Sequence, residues 1–246
     1  MNKLYKGDCL EVMKQIPSGS IDAIITDPPY GTTACKWDSV INFELMWEQL
    51  NRIIKPNGAI VLFGAEPFSS ILRVSNLKNY KYDWVWEKSK ATNFLNAKKQ
   101  PLRAKENILV FYKKQPTYNP QMTEGKSYNK GIRKKQTKGD VYGAFKQSEV
   151  KSEGNRYPRD VLYFKTAESE GKTFHKTQKP VALMEYLIKT YTNENETVLD
   201  FTMGSGSTGV AAKNTNRNFI GIEQDENYFN IATERINKEQ PQKELF

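Results

Sequence analysis

The sequence is poor in the residues that build metal centres and disulfides. Its 246 residues include one histidine and two cysteines, Cys9 and Cys35, with no pairing pattern. A zinc site, which needs about four such ligands, is therefore not expected, and the reducing cytoplasm is the expected location. The chain also lacks an apolar run of the roughly 20 residues that span a bilayer, and residues 1–5 lack the apolar stretch of a signal peptide. No membrane partner is expected.

Acidic residues are too few to balance the basic ones. The net charge is +9, from 37 Lys and Arg against 28 Asp and Glu. Residues 113–165 hold thirteen basic and five acidic residues, and so carry +8 of this excess. Tyrosines interrupt the same segment at positions 118, 128, 142, 157 and 163. A basic, aromatic-rich segment suits the phosphates and exposed bases of a nucleic acid, although a solvated loop can carry the same charge.

Short β-branched apolar runs alternate with helical patterns on both sides of this basic segment. The predicted strands are 21–26, 59–63, 82–86, 108–112, 197–200 and 219–223, and the predicted helices are 43–54, 180–191, one opening at 210, and 227–237. Such alternation predicts an α/β fold with a doubly wound, mostly parallel sheet. The basic segment is then an insert, and the predicted divisions are 1–112, 113–170 and 171–246.

A glycine-rich loop, Gly204-Ser205-Gly206-Ser207-Thr208-Gly209, follows the predicted strand at 197–200. Glycines let the backbone approach a ligand closely, and the helix N-terminus after the loop offers free N–H groups. Glu223 ends the next predicted strand, where a carboxylate can hold both hydroxyls of a ribose. The loop lacks the Gly-Lys-Ser/Thr of a triphosphate-binding loop. A nucleotide-like cofactor is favoured over a bare strand-to-helix turn.

The strand predicted at 21–26 ends abruptly at Asp27-Pro28-Pro29-Tyr30. An amino group on a purine or pyrimidine ring is a poor nucleophile, because its lone pair is delocalised into the ring. The Asp27 carboxylate and the Pro28 carbonyl can accept its two N–H bonds and so favour a more nucleophilic nitrogen. The prolines stiffen the loop and remove competing N–H groups, and Tyr30 offers a ring on which an extruded base can stack. An ordinary Asp-Pro turn is the alternative.

This loop and the segment Asp200 to Gly206 together resemble the DNA amino-methyltransferases. The catalytic loop precedes the cofactor loop, with the basic segment between them, as in the circularly permuted β group of that family, whose target recognition domain occupies this gap. The resemblance implies a Rossmann-like, seven-stranded class I methyltransferase sheet whose first and last strands lie side by side. It also implies S-adenosylmethionine as cofactor and double-stranded DNA as substrate. A homodimer is left open.

The resemblance assigns further roles position by position. The residues implied in cofactor binding are Asp8, Cys9, Asp27, Lys179, Asp200, Phe201, Thr202, Gly204, Ser205, Gly206 and Glu223. Asp8 would receive the exocyclic amine of the cofactor's adenine, and Lys179 belongs to a segment on its methionine side. The family usually reads Asp-Pro-Phe before the glycines. Here the usual aromatic is either replaced by Thr202 or supplied by Phe201 in a shifted register.

The implied reaction is direct in-line methyl transfer to the exocyclic N6 of a flipped adenine, with Asp27, Pro28, Pro29 and Tyr30 as the catalytic set. In the family, Asp-Pro-Pro-Tyr leans to adenine, and N4 of cytosine is the alternative. RNA and protein methyltransferases with a related loop usually begin it with Asn. A catalytically silent DNA-binding homologue is disfavoured by the intact acidic residues. Trp37 and Asp38 either line the target pocket or pack, and the basic segment 93–103 is expected near the flipped base.

Overall fold

The computed structural model describes residues 2–31, 39–132, 149–175 and 177–238, and Trp37 and Asp38 lie outside these ranges. The chain divides into two compact units. The larger unit comprises Met1–Asn119 and Asp160–Phe246, and the smaller unit is Pro120–Arg159. The smaller unit is narrower than the insert predicted at 113–170, because both flanks of that range belong to the larger unit.

Strands alternate with helices in residues 2–92 and 181–237, as the apolar pattern predicted, whereas the described residues between these two ranges form strands and short 3-10 helices. In chain order the strands are β1 (Asn2–Lys6), β2 (Ile21–Thr26), β3 (Ile54–Gly64), β4 (Tyr80–Thr92), β5 (Arg103–Phe111), β6 (Thr123–Glu124), β7 (Tyr128–Ile132), β8 (Glu149–Ser152), β9 (Asn155–Arg156), β10 (Val161–Phe164), β11 (Thr197–Asp200) and β12 (Asn218–Glu223). The helices are α1 (Cys9–Met13), α2 (Phe43–Ile53), α3 (Phe68–Ser75), α4 (Val181–Tyr191), α5 (Ser207–Asn214) and α6 (Glu226–Asn237).

One sheet organises the larger unit, in the order β1-β12-β11-β2-β3-β5-β4-β10. Neighbouring strands are parallel except at β5, which runs antiparallel to both β3 and β4. The sheet has eight strands instead of the predicted seven, because β10 pairs with β4 from Val161 opposite Val85. The first and last strands lie side by side as expected, with Leu4 opposite Gly221.

Successive residues of the central strands point to opposite faces of the sheet. In β3, Ala59, Val61 and Phe63 belong to one apolar cluster, together with buried residues of α4, α5 and α6. Ile60 and Leu62 belong to the other cluster, together with buried residues of α1, α2 and α3. The central strands are therefore covered on both faces, which explains why they read as continuous apolar runs.

The described residues of the smaller unit form two short antiparallel ladders, β6 with β9 and β7 with β8. Basic side chains lie over the Tyr128 ring, with the Lys130 ammonium 4.9 Å and the Arg156 guanidinium 5.0 Å from its centroid. Arg156 also donates to the hydroxyl of Ser152 and the carbonyl of Lys126. The unit thus presents cations held in place by an aromatic ring. No helix in the described part of the chain has the length and apolar character of a membrane span.

A buried hydroxyl on α4 fixes that helix to the sheet. Tyr191 is 1% exposed, and its hydroxyl accepts from Trp84 Nε1 at 2.6 Å and lies 2.9 Å from the hydroxyl of Tyr82.

We expect Tyr191→Phe to lower the free energy of unfolding by about 1–3 kcal/mol, because the Trp84 N–H is left unpaired in the core. Urea denaturation measures this. Tyr82→Phe is the matched control, with a smaller loss, since it keeps the Trp84 bond. Equal midpoints for Tyr191→Phe and the wild type would contradict the prediction.

Candidate active site

The carboxyl ends of β2, β11 and β12 open on one cavity of about 870 Å³. These strands are parallel, so the loops that follow them meet at one edge of the sheet. The chain leaves β2 towards β3 on one side, while β11 lies on its other side, which makes this edge a topological switch point, where open α/β sheets bind ligands. Every residue predicted for the site lines this cavity except Gly206.

Gly206 lies against α6 and not in the cavity. Its φ of +82° is in the left-handed region, and a Cβ there would lie 3.0 Å from Cβ of Ala232. Gly204 also has a left-handed φ, of +51°, but the nearest atom to a Cβ there would be His175 Cδ2 at 4.0 Å. One glycine therefore serves packing of the loop on a helix, and the other leaves open space on the cavity side.

The Asp27 carboxylate is held from both sides. Tyr30 donates its hydroxyl to Asp27 Oδ1 at 2.5 Å, and Lys179 donates to Asp27 Oδ2. The Tyr30 ring stacks on Phe68, with ring centroids 4.8 Å apart and an angle of 28° between the planes. These contacts fix the orientation of the carboxylate before any substrate arrives.

Glu106 on β5 is a second carboxylate in the same cluster, and the sequence analysis did not single it out. Its Oε1 accepts from the Tyr30 hydroxyl at 3.0 Å and lies 3.0 Å from the Lys179 ammonium. Its Oε2 lies 3.5 Å from the ammonium of Lys88. Glu106 thus shares both donors of Asp27. The sequence does contain one sign that Glu106 is unusual, because it is the single acidic residue between positions 88 and 111.

Burial and charge shift the pKa values in this cluster in different directions. Burial raises the pKa of Asp27, and the Glu106 charge adds to that effect while Lys179 opposes it. For Glu106, burial is outweighed by Lys179 and Lys88, and its pKa is lowered. The pKa of Lys179 is raised, because the attraction of both carboxylates exceeds the cost of burying its charge. Glu106 is the carboxylate that holds its negative charge more firmly, and Asp27 is the more basic of the two.

A hydroxyl network joins the Asp27–Tyr30 loop to the glycine loop. Thr26 donates to Asp200 Oδ1 at 2.6 Å, Thr202 donates to the backbone oxygen of Asp27 at 3.1 Å, and the two hydroxyl oxygens lie 2.7 Å apart. Thr208 donates to Asp200 Oδ2 at 2.5 Å. Thr202 therefore does not fill the place of an aromatic ring but bonds the two loops together.

Phe201 supplies the aromatic side chain at this position of the chain. It is 1% exposed and belongs to the apolar cluster against which the partly buried Tyr30 packs. The aromatic ring thus comes from Phe201, one position before the place where the Asp-Pro-Phe pattern has its Phe. Thr202, at that place, forms hydrogen bonds instead.

Two carboxylates border the other end of the cavity. Glu223 Oε2 accepts from the backbone N–H of Gly204 at 2.9 Å and Oε1 accepts from that of Asp225 at 2.8 Å. Burial raises the pKa of Glu223. Asp8 caps α1, since its Oδ1 accepts from the N–H groups of Leu10 and Glu11 at 2.8 and 3.2 Å. Each carboxylate is oriented by backbone donors, and its oxygens have further lone pairs for a ligand.

The segment before α4 is fixed to the glycine loop through Gln178, another residue that the sequence analysis did not single out. Gln178 Oε1 accepts from the N–H of Phe174 at 3.0 Å and from the hydroxyl of Ser205 at 3.1 Å.

The cavity also includes Cys9, and burial raises the pKa of its thiol to about 12. A thiol with so high a pKa stays protonated, so it does not act as a nucleophile at neutral pH.

The fold and this cavity define a class I methyltransferase. The profile of the DNA methylases that modify N6 or N4 amino groups matches residues 21–234. This chain belongs to that DNA methylase family.

Individual relatives agree with this assignment. The chain is 28% identical to the type II methyltransferase M.HinfI of Haemophilus influenzae over 98% of this chain and 70% of that protein. It is 29% identical to the type II methyltransferase M.BglII of Bacillus subtilis, over 97% of this chain and 70% of that protein. The M1.HpyAVI–SAM complex superposes with a TM-score of 0.68 at 31% identity, over 97% of this chain and 100% of that one. The cytosine-N4-specific PvuII DNA methyltransferase shares the fold, with a TM-score of 0.69 at 17% identity over 96% of this chain and 86% of that one.

Asp200 allows a test by pH, because burial raises the pKa of its carboxyl to about 6. A group whose pKa is higher in the folded chain stabilises the fold fully below its unfolded pKa, about 3.9, and loses that contribution as the pH rises through about 6. At about 1.4 kcal/mol per pKa unit, we expect the wild type to lose up to ~3 kcal/mol between pH 4 and 7 relative to Asp200→Asn, which stays neutral. Urea denaturation of both proteins across this range measures the difference. A difference that does not vary with pH would contradict the assignment.

Proposed function

We propose that the chain transfers a methyl group from S-adenosylmethionine to the exocyclic N6 of adenine in double-stranded DNA. The observation that carries this proposal is the placement of Asp27 in the same cavity as the glycine loop and Glu223. Membership of the DNA methylase family supports the reaction, and the Asp-Pro-Pro-Tyr sequence of the loop supports adenine. The smaller unit, with its cations on Tyr128, is the part that we assign to target recognition.

The cavity suits a cofactor that carries an adenosine and an amino acid. Glu223 has lone pairs left for the ribose hydroxyls, and Gly204 leaves open space where a side chain would fill the cavity. Asp8 lines the same cavity and would accept from the adenine amine. When bound, this cofactor supplies a methyl group activated by a sulfonium. Ser205 and Gln178 hold the surrounding loop in position through their mutual hydrogen bond.

Asp27 accepts one N–H of the target amine, and the Pro28 carbonyl accepts the other. Both oxygens of Asp27 already accept from Tyr30 or Lys179, so the amine competes with these donors. Glu106 accepts from the same hydroxyl and ammonium, and it can take both over without leaving a buried donor unpaired. We therefore assign Glu106 the role of a positioning residue that frees Asp27 for the base.

Tyr30 holds the base beside Asp27. One face of its ring is covered by Phe68, which leaves the other face for an extruded base. Stacking on an aromatic ring contributes about 1–3 kcal/mol per base. The bond from the Tyr30 hydroxyl to Asp27 ties the position of this ring to that of the carboxylate.

Asp27→Ala tests the mechanism. We expect a loss of at least ~100-fold in methyl incorporation, because the acceptor that makes the amine nucleophilic is gone. The measurement is transfer of tritium from labelled S-adenosylmethionine to duplex DNA. Glu185→Gln, a carboxylate that bonds Asn214 outside the cavity lining, is the control and should keep the wild-type rate. Undiminished incorporation by Asp27→Ala would show that the amine is activated by another group.

The choice of base is tested on the product. We expect N6-methyladenine, and no N4-methylcytosine, in nucleosides prepared from DNA methylated by the wild-type chain. Both rings present a similar amine to Asp27 and Pro28, so finding N4-methylcytosine would replace the proposed base but keep the proposed chemistry. Sequencing of DNA from cells that express the chain, with detection of modified bases, identifies the recognition sequence.

A further inference from the structure

A turn with two exposed apolar side chains stands at the edge of the cavity. It joins β4 to β5, whose last ladder pair is Thr92 opposite Arg103. Phe94 and Leu95 in this turn are 75% and 85% exposed. Phe94 also lines the cavity that contains Asp27. Two adjacent large apolar side chains that are exposed to solvent indicate a surface that becomes buried when the protein binds another molecule.

The turn holds these side chains in position by its own hydrogen bonds. Asn93 has a left-handed φ of 70° and precedes a 3-10 helix over Phe94–Asn96. The N–H of Ala97 donates to the carbonyl of Phe94 at 3.1 Å, and the amide of Asn96 donates to Asn93 Oδ1 at 2.8 Å. The apolar pair is therefore presented by a formed turn, without packing in the core.

The charge around the turn identifies what covers it. Residues 88–105 contain six basic residues and no acidic one: Lys88, Lys90, Lys98, Lys99, Arg103 and Lys105. Four of them, Lys88, Lys90, Arg103 and Lys105, line the cavity together with Phe94. A cationic border around an apolar centre matches the phosphates and the stacked bases of DNA.

The chemistry of the substrate supplies the reason for an apolar side chain there. An amine inside a duplex cannot reach Asp27 until its base leaves the stack, which costs a few kcal/mol and leaves a gap. Proteins that kink or open DNA fill such gaps with apolar side chains such as Phe and Leu. We propose that Leu95 enters the stack at the position that the target base vacates, while Phe94 borders the extruded base. This inference rests on the proposed function.

Leu95→Ala separates the opening of the base pair from the chemistry. The substrate is a duplex with the sequence found by modified-base sequencing, used in two forms: fully paired, and with an abasic analogue opposite the target base. We expect the single-turnover methylation rate to fall about tenfold or more on the paired duplex and to stay within about threefold of wild type on the abasic one, where no pairing is lost. With 2-aminopurine at the target position, the fluorescence rise on binding should be smaller for Leu95→Ala than for wild type.

Leu77→Ala is the matched control, since it makes the same change at a 66% exposed leucine that does not line the cavity. It should keep wild-type rates on both duplexes. Equal rate losses for Leu95→Ala on both duplexes, or no loss on the paired one, would overturn the role of Leu95 and leave the proposed function intact. No methylation of either duplex by the wild-type chain would overturn the proposed function as well.

Discussion

The Asp27 end of the cavity is organised around the Lys179 ammonium, which two carboxylates share, one of them buried and the other partly buried. Lys179 is 8% exposed and Glu106 is 9% exposed, and Asp27 meets the same ammonium from its other side. Two carboxylates this close repel each other, and a buried charge without a partner costs several kcal/mol. Lys179 and Lys88 together offset both negative charges, so the cluster carries no net charge.

This cluster constrains the fold because its members come from distant parts of the chain. Lys179 lies 152 residues from Asp27, and Glu106 lies 76 residues from Tyr30. Glu106 reaches the cluster because β5 runs antiparallel next to β3 and starts where the parallel strands end. The antiparallel direction of β5 therefore brings a second carboxylate, Glu106, to the edge of the sheet where Asp27 lies. A fully parallel sheet would place the start of β5 at the opposite edge.

The sequence predicted those residues of the cavity that stand at the end of a local apolar run. It missed residues that reach the cavity through contacts between distant parts of the chain. Asp27 and Glu223 end apolar runs, so their place at the edge of the sheet follows from strand polarity alone. Glu106 and Thr26 have partners far along the chain, and the isolation of Glu106 among basic residues is a local signal that does not name those partners. The edge strand β10 has four residues, too few for a pattern to stand out from the basic segment around it. The extra strand and the C-terminal boundary of the smaller unit both follow from that one short element.

Thr202 shows how an unusual residue can tie two functions together. Thr26 donates to the Asp200 carboxylate, and Thr202 donates to the backbone oxygen of Asp27. The two hydroxyl oxygens lie 2.7 Å apart, so this pair of residues links a side chain of the glycine loop to the backbone of the Asp27 loop. Thr26 and Asp200 are 174 residues apart in the sequence, and these hydrogen bonds therefore join the two motifs into one unit.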